Sequence, residues 1–240
     1  METMLMRTRP LVEVAVDSVA AAVMAAGLGA DRLELCQDLE LGGTTPSLGL
    51  IEAVRERVTI PVAVMIRPRG GEFVYGLDEM LVMTADIGHA IRAGANGVVV
   101  GPLNAGGGID REGLKRLVAA AGPVPVVFHR AFDSVVEPME ALEVLMADGV
   151  ARLLTAGGGA SAYEGRGVIG RLVRRAGTDL TVIAGGGVMA EDVVGLVEAT
   201  SVREVHLSGI RLERVADGVF GMTPVPHPGR LSGVIEALGR

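Results

Sequence analysis

"LVEVAVDSVAAAV", residues 11–23, decides how the rest of the chain is read. Val12, Val14 and Val16 alternate with Glu13 and Ala15, the period-two pattern of a strand with two distinct faces. The alanine-rich stretch that follows is helical in character. It lacks the Gly-rich fingerprint that usually follows strand one of an open, doubly wound dinucleotide sheet. A strand that passes straight into a helix is the unit of a parallel α/β fold, and the question becomes how often it recurs.

It recurs eight times. After "LVEVAV" (11–16) come "DRLELC" (31–36), "PVAVMI" (61–66), "NGVVV" (96–100), "PVPVVF" (123–128), "ARLLT" (151–155), "DLTVIA" (179–184) and "REVHL" (203–207). The spacing of roughly thirty residues is that of a βα unit. Segments with helical periodicity, such as "EMLVMTADIGHAIRAG", lie between them. Strands two, four, six and eight each follow a helix end, at "GADR", "GANG", "GVAR" and "TSVR". That two-strand beat suits a barrel whose odd and even strands fill alternate core layers, so the sequence predicts a (β/α)8 TIM barrel. A single domain over 1–240 is expected, with a barrel core at about 11–210 and a C-terminal segment at about 211–240 that caps the mouth or contacts a second subunit.

Composition narrows the function classes. The chain has 240 residues, 49% of them hydrophobic, with 22 Lys+Arg against 29 Asp+Glu and a formal charge of −7. A net negative chain is a poor match for nucleic acid or an anionic membrane surface, both of which call for a basic face. One cysteine excludes an internal disulfide framework and points to a reducing compartment. "METMLMRTRP" has no apolar stretch of signal-peptide length, and no run of eighteen apolar residues occurs, so a cytoplasmic location is expected. No H-E-x-x-H, C-x-x-C, G-x-S-x-G or P-loop pattern is present, and no nucleotide or organic cofactor is evident.

Chemistry in such barrels sits at the C-terminal ends of the strands. Alternation sends Glu13 and Ala15 inward from strand one, Arg32, Glu34 and Cys36 from strand two, and Glu204, His206 and Ser208 from strand eight. With Arg67 and His129 at the ends of strands three and five, charged groups of both signs share one lumen. A buried carboxylate needs a partner, so one reading is a structural ion-pair network. The other is a ligand site in which Glu13, Glu34, His129, Asp133 and His206 form an acid–base pocket. "IRPRGG" (66–71) places Arg67 and Arg69 around a rigid proline, suited to bidentate binding of an anion. The competing role for Arg67 is a pair with Glu34. Arg130, Gly186 in "AGGGV" and Ser208 in "HLSG" are further candidates for binding a substrate, the last two through an anion site on backbone N–H groups. "AGGG" also follows strand six, so that pattern alone selects no single loop. His89 is read as a helical residue and His227 as a turn residue without a chemical role. Met80, Met83, Met139 and Met146 have the spacing of helix-core residues.

"GADRLELC", "IRPRGGEFVY", "VVFHRAFD", "VARLLTAGG" and "VREVHLSG", in this order between Glu13 and Gly209, resemble the CutC family of copper-homeostasis proteins. The resemblance implies a (β/α)8 barrel, a homodimer or higher homo-oligomer, and a cytoplasmic location. It also implies a charged pocket at the positions matching Glu13, Glu34, Arg67, Arg69, His129, Arg130, Asp133 and His206. Copper is the implied cofactor, bound as Cu(I) through cysteine. Several members carry cysteine on strand one, where this chain has Ala15 and Val16, so Cys36 is the remaining metal candidate, with Met65 as a possible soft co-ligand. Three functions follow as expectations. One is copper homeostasis with weak Cu(I) binding. A second is an isomerase, lyase or hydrolase acting on a small anionic or polyhydroxylated substrate, with a divalent ion at the mouth as a variant. The third is a scaffold without chemistry.

Overall fold

A computed structural model of the chain describes residues 9–214 and 222–239. Eight parallel strands close into a barrel in sequence order: β1 (Leu11–Val16), β2 (Arg32–Leu35), β3 (Val62–Met65), β4 (Gly97–Val100), β5 (Val126–Phe128), β6 (Arg152–Thr155), β7 (Thr181–Gly185) and β8 (Glu204–Ser208). β8 returns to pair with β1, placing His206 beside Glu13 and Ser208 beside Ala15. This closure rules out the open doubly wound sheet.

Seven helices connect consecutive strands: α1 (Val19–Gly27), α2 (Leu48–Arg55), α3 (Leu77–Arg92), α4 (Arg111–Ala121), α5 (Pro138–Ala147), α6 (Arg166–Ala176) and α7 (Ala190–Thr200). Local chemistry starts several of them. Ser18, Ser47 and Asp110 accept a hydrogen bond from a first-turn N–H of α1, α2 and α4, satisfying donors that the helix itself leaves open. After β8, β9 (Ile210–Arg214) and β10 (Met222–Pro226) form an antiparallel pair and α8 (Pro228–Ala237) follows. The tail expected at 211–240 therefore contains the antiparallel strand pair and a helix, with 215–221 and 240 outside the described residues, as are 1–8 at the other end.

The period-two reading holds throughout. Val12, Val14 and Val16 join the large apolar layer between barrel and helices. A smaller cluster of Cys36, Ala63, Met65, Val99, Val127, Leu154 and Ile183 fills the lumen. Met80 and Met83 are buried in the helix layer, and His89 is exposed on α3. His227 caps α8 by accepting a hydrogen bond from the Arg230 N–H. No helix among the described residues is long and apolar enough to cross a membrane.

Candidate functional site

The first residues of β2, β6 and β8 are Arg32, Arg152 and Glu204, at the N-terminal end of the lumen. Arg32 donates to both Glu13 and Glu204, and Arg152 Nε donates to Glu204 at 3.3 Å. Glu13 also meets His206 Nδ1 at 2.9 Å. Burial alone would raise the Glu13 carboxyl, but the His206 hydrogen bond and the Arg32 charge outweigh it and hold the group at about 2. This is the ion-pair network expected from alternation, and it is saturated: both Glu13 oxygens have partners. Arg152 was not singled out from sequence, although inward alternation of Arg152 and Leu154 on β6 carries the signal.

Above it, towards the C-terminal ends of the strands, lies a cavity of about 260 Å³. Glu34, Arg67, His129 and His206 line it, with Arg130, Gly186 and Ser208 among its other walls. His206 Nε2 stands 3.8 Å from Glu34 Oε2, linking cavity and network. Burial raises the Glu34 carboxyl, and the neighbouring Glu13 charge adds to the rise against the opposing His206. His206 moves the other way from its burial, which would lower it: the Glu34 and Glu13 carboxylates raise it. Glu13, Glu34 and His206 together offer three ligand atoms within 4.8 Å of one another, a donor set of oxygen and imidazole that suits a hard or borderline ion.

Three residues that line this cavity each carry a buried polar atom without a well-aligned hydrogen bond among the described residues: Glu34 Oε1, Arg67 Nε, whose guanidinium also faces the buried Tyr75 hydroxyl, and His129 Nε2. These residues are only 4%, 3% and 5% exposed. Arg67 is fixed by its terminal nitrogens, which donate to the Leu41, Gly43 and Gly71 carbonyls at 2.8 Å each. It ties the loops after β2 and β3 together and does not pair with Glu34. His129 is held by accepting the Ala131 N–H at Nδ1, 3.1 Å. Nδ1 is thus the bare nitrogen and Nε2 carries the hydrogen. Burial, reinforced by the Arg67 charge, lowers His129 to about 3, so the ring is neutral. Phe73 lies between the two, 5.0 Å from Arg67 Cζ and 5.1 Å from the His129 ring. Gly101 at the end of β4 makes room for that ring, since a Cβ there would fall 2.0 Å from His129 Cε1.

The structure separates the remaining candidates. Arg69 is outside the cavity: it pairs with Glu79 at 2.5 Å and donates to the Glu72 and Val74 carbonyls, shaping the loop before α3. Two positions along the chain kept Arg67 and Arg69 close in sequence, but the Pro68–Gly71 turn sends their guanidinium groups to different partners. Asp133 also lies outside the cavity lining. It accepts from Thr155 Oγ1 and from the Ala156 and Gly158 N–H groups, pinning the loop after β6, and it orients Arg130 at 2.8 Å. Gly186 has φ +111°, and a Cβ would lie 2.9 Å from Arg130 Cζ, so the loop after β7 brings backbone close to that arginine. Ser208 sits at the wall with its hydroxyl donating to the Ile210 carbonyl. Cys36 is fully buried and donates to Glu34 at 3.6 Å. Burial pushes its thiol well above the usual range, and the Glu34 carboxylate adds to this. Phe73 and Arg230 were not anticipated. Arg230 reaches the cavity from α8, where it also donates to the Val188 carbonyl.

Comparison with known proteins gives a consistent answer. Residues 10–211 match the model of the CutC family. The copper homeostasis protein cutC homolog of Homo sapiens is 48% identical over 198 residues, 82% of this chain and 72% of that protein. A family protein CutC of Xylella fastidiosa is 46% identical over 90% of this chain and 80% of its own length. The CutC structure from Streptococcus agalactiae superposes with a TM-score of 0.78 at 35% identity, covering 82% of this chain and 97% of that one.

Proposed function

The chain belongs to the CutC family, and from that premise we propose that it serves copper homeostasis, the role stated in the name of its human relative. Kinship over most of the chain carries the reading. Within the barrel, one local feature supports weak Cu(I) binding: a methyl added at Gly43 would lie 3.2 Å from Cys36 Sγ and 3.5 Å from the Met65 methyl Cε, so the two sulfur-bearing side chains are neighbours. Soft sulfur donors select Cu(I). The metal must displace a proton from a thiol whose burial holds it on, which keeps affinity low and makes it rise with pH.

Anaerobic titration with Cu(I) against chelators of graded strength tests this. Competition with weak chelators only, lost in Cys36→Ser and reduced in Met65→Leu, is the expected result. Failure to compete with any of them removes the Cu(I) site. The reading includes a cytoplasmic location and self-association into a homodimer or higher oligomer. Exposure of Leu77 (76%) and Leu81 (62%), one turn apart on α3, supports the latter, and sedimentation measures it.

A second reading has its own observation. Charged and polar residues of both signs lining one cavity, Glu34, Arg67, His129 and His206, favour a site for a small anionic or polyhydroxylated ligand, with acid–base chemistry between Glu34 and His206. Such a site predicts that changes at Glu34 and His129 abolish ligand binding while the fold survives.

A further inference from the structure

Resting on that second reading, we infer that the loop after β7 is a phosphate subsite of this cavity, and that the ligand is a small phosphate monoester. Two strand ends carry the same stretch of sequence, "AGGG", at 156–159 after β6 and at 184–187 at the end of β7. Their backbone donors have opposite fates. After β6, the Ala156 and Gly158 N–H groups donate to the Asp133 carboxylate at 2.9 and 3.2 Å. The Gly157 N–H donates to Thr155 Oγ1 and the Gly159 N–H to the Ala156 carbonyl. That loop already holds an anion, a carboxylate of the chain itself. After β7, the Gly186 and Gly187 N–H groups have no hydrogen-bond partner among the described residues. Both glycines line the cavity, and neither is buried.

Cations stand where the second loop lacks its carboxylate. A Cβ on Gly186 would lie 2.9 Å from Arg130 Cζ and 3.1 Å from Arg130 Nη1, so that guanidinium rests on the glycine. Arg130 engages Asp133 through Nε and leaves its terminal nitrogens without a hydrogen bond among the described residues; its side chain is 47% exposed. Arg230 reaches the same loop from α8, donating through Nε and Nη2 to the Val188 carbonyl at 3.4 and 3.2 Å. It lines the cavity as well, and pairs with no carboxylate among the described residues. Two guanidinium groups and two backbone donors therefore share one stretch of accessible wall. A phosphate monoester carries about two negative charges at neutral pH and three terminal acceptor oxygens, which matches that set. A carboxylate brings one charge and two oxygens, and leaves one guanidinium unbalanced. Loops after the seventh and eighth strands are also where barrels of this architecture frequently hold phosphate. From there the organic part of the ester extends across the cavity towards Glu34 and His206, and a volume of about 260 Å³ keeps that part small.

Calorimetric titration of the full chain with inorganic phosphate, glycerol 3-phosphate, glycerate and glycerol tests the inference. Phosphate and glycerol 3-phosphate should both bind, about tenfold or more tightly than glycerate or glycerol. Arg230→Gln should weaken both phosphates about tenfold, whereas Glu34→Gln should leave inorganic phosphate unchanged. Circular dichroism melts show whether each variant folds. On the wild type, the Gly186 and Gly187 amide resonances should shift on adding phosphate, a readout that no variant's folding affects. Glycerate or glycerol binding as tightly as the phosphates overturns the phosphate subsite and leaves the small-ligand reading standing. Phosphate binding that moves neither glycine amide places the anion elsewhere and overturns the subsite too. Binding of phosphate without glycerol 3-phosphate overturns the monoester. No binding of any of the four at millimolar concentration overturns both the subsite and the reading it rests on.

Discussion

The lower and upper halves of this barrel lumen use the same residue types to opposite effect. At the N-terminal end, Glu13, Arg32, Arg152 and Glu204 are joined into a network in which both Glu13 oxygens have partners. At the C-terminal end, Glu34, Arg67 and His129 are as deeply buried, yet each keeps one polar atom without a partner. Burial is therefore not what separates them. The difference lies in where the pairing stops: the lower network is complete within the protein, and the upper set leaves Glu34 Oε1, Arg67 Nε and His129 Nε2 without a hydrogen-bond partner among the described residues. Charge in a lumen marks a site when its hydrogen bonds are unfinished.

The sharpest way to break this contrast is to remove Arg32. Arg32→Met leaves the buried Glu13 and Glu204 with one cation fewer, and should cost about 3–5 kcal/mol in denaturant unfolding. A loss below about 1 kcal/mol would mean the lower network is dispensable. The second test is pH. His129 is held at about 3 against an ordinary 6.5, so the unfolded chain binds a proton that the native chain does not. Its contribution to stability is complete above 6.5 and is lost as pH falls towards 3, at up to about 1.4 kcal/mol per pH unit. His129→Gln should flatten the acid limb of a stability–pH curve in that window, and an unchanged slope would contradict a neutral buried ring.

Gly101→Ala comes next. A methyl 2.0 Å from the His129 ring forces the ring or β4 to move, at about 1–3 kcal/mol. Unaltered His129 ring resonances in the variant would show that the glycine is not needed for the ring's position. Glu34→Gln should have the smallest effect, within about 1 kcal/mol near neutral pH. Since burial raises the Glu34 carboxyl, its ionisation in the native state costs stability as pH climbs above 4.5, and the variant should gain on the wild type in that direction. A large loss at high pH would place Glu34 with the structural network instead.

Much of the barrel was legible because strands impose a strict period of two. Glu13, Glu34 and His206 could be brought to one lumen from β1, β2 and β8 by alternation in a closed barrel, and the register bears this out. Loops carry no such period. Arg67 and Arg69 looked like a pair because sequence gives separation, not direction, and the turn at Pro68–Gly71 sends one into the cavity wall and the other to Glu79. Asp133 was read into the acid–base pocket, but it accepts from the Thr155 hydroxyl and from N–H groups of a loop more than twenty residues away. Gly101 carries no side chain to notice, and its role appears only with the His129 ring in place. Arg230 arrives from a helix beyond the eight-fold repeat, so no periodicity points to it.

The lower network also bears on the order in which the chain folds. Glu13 and His206 are 193 residues apart, and Arg32 and Glu204 are 172 apart. These contacts form only when the first and last strands of the barrel find each other, the most remote pairing the chain makes and therefore among the slowest to close. Until then a nearly assembled barrel holds the Glu13–Arg32 pair on one edge and the Glu204–Arg152 pair on the other, with the Arg32–Glu204 and Glu13–His206 bonds across the seam unmet. An open-edged intermediate is thus penalised by its own lumen, and the final seam converts that penalty into closure.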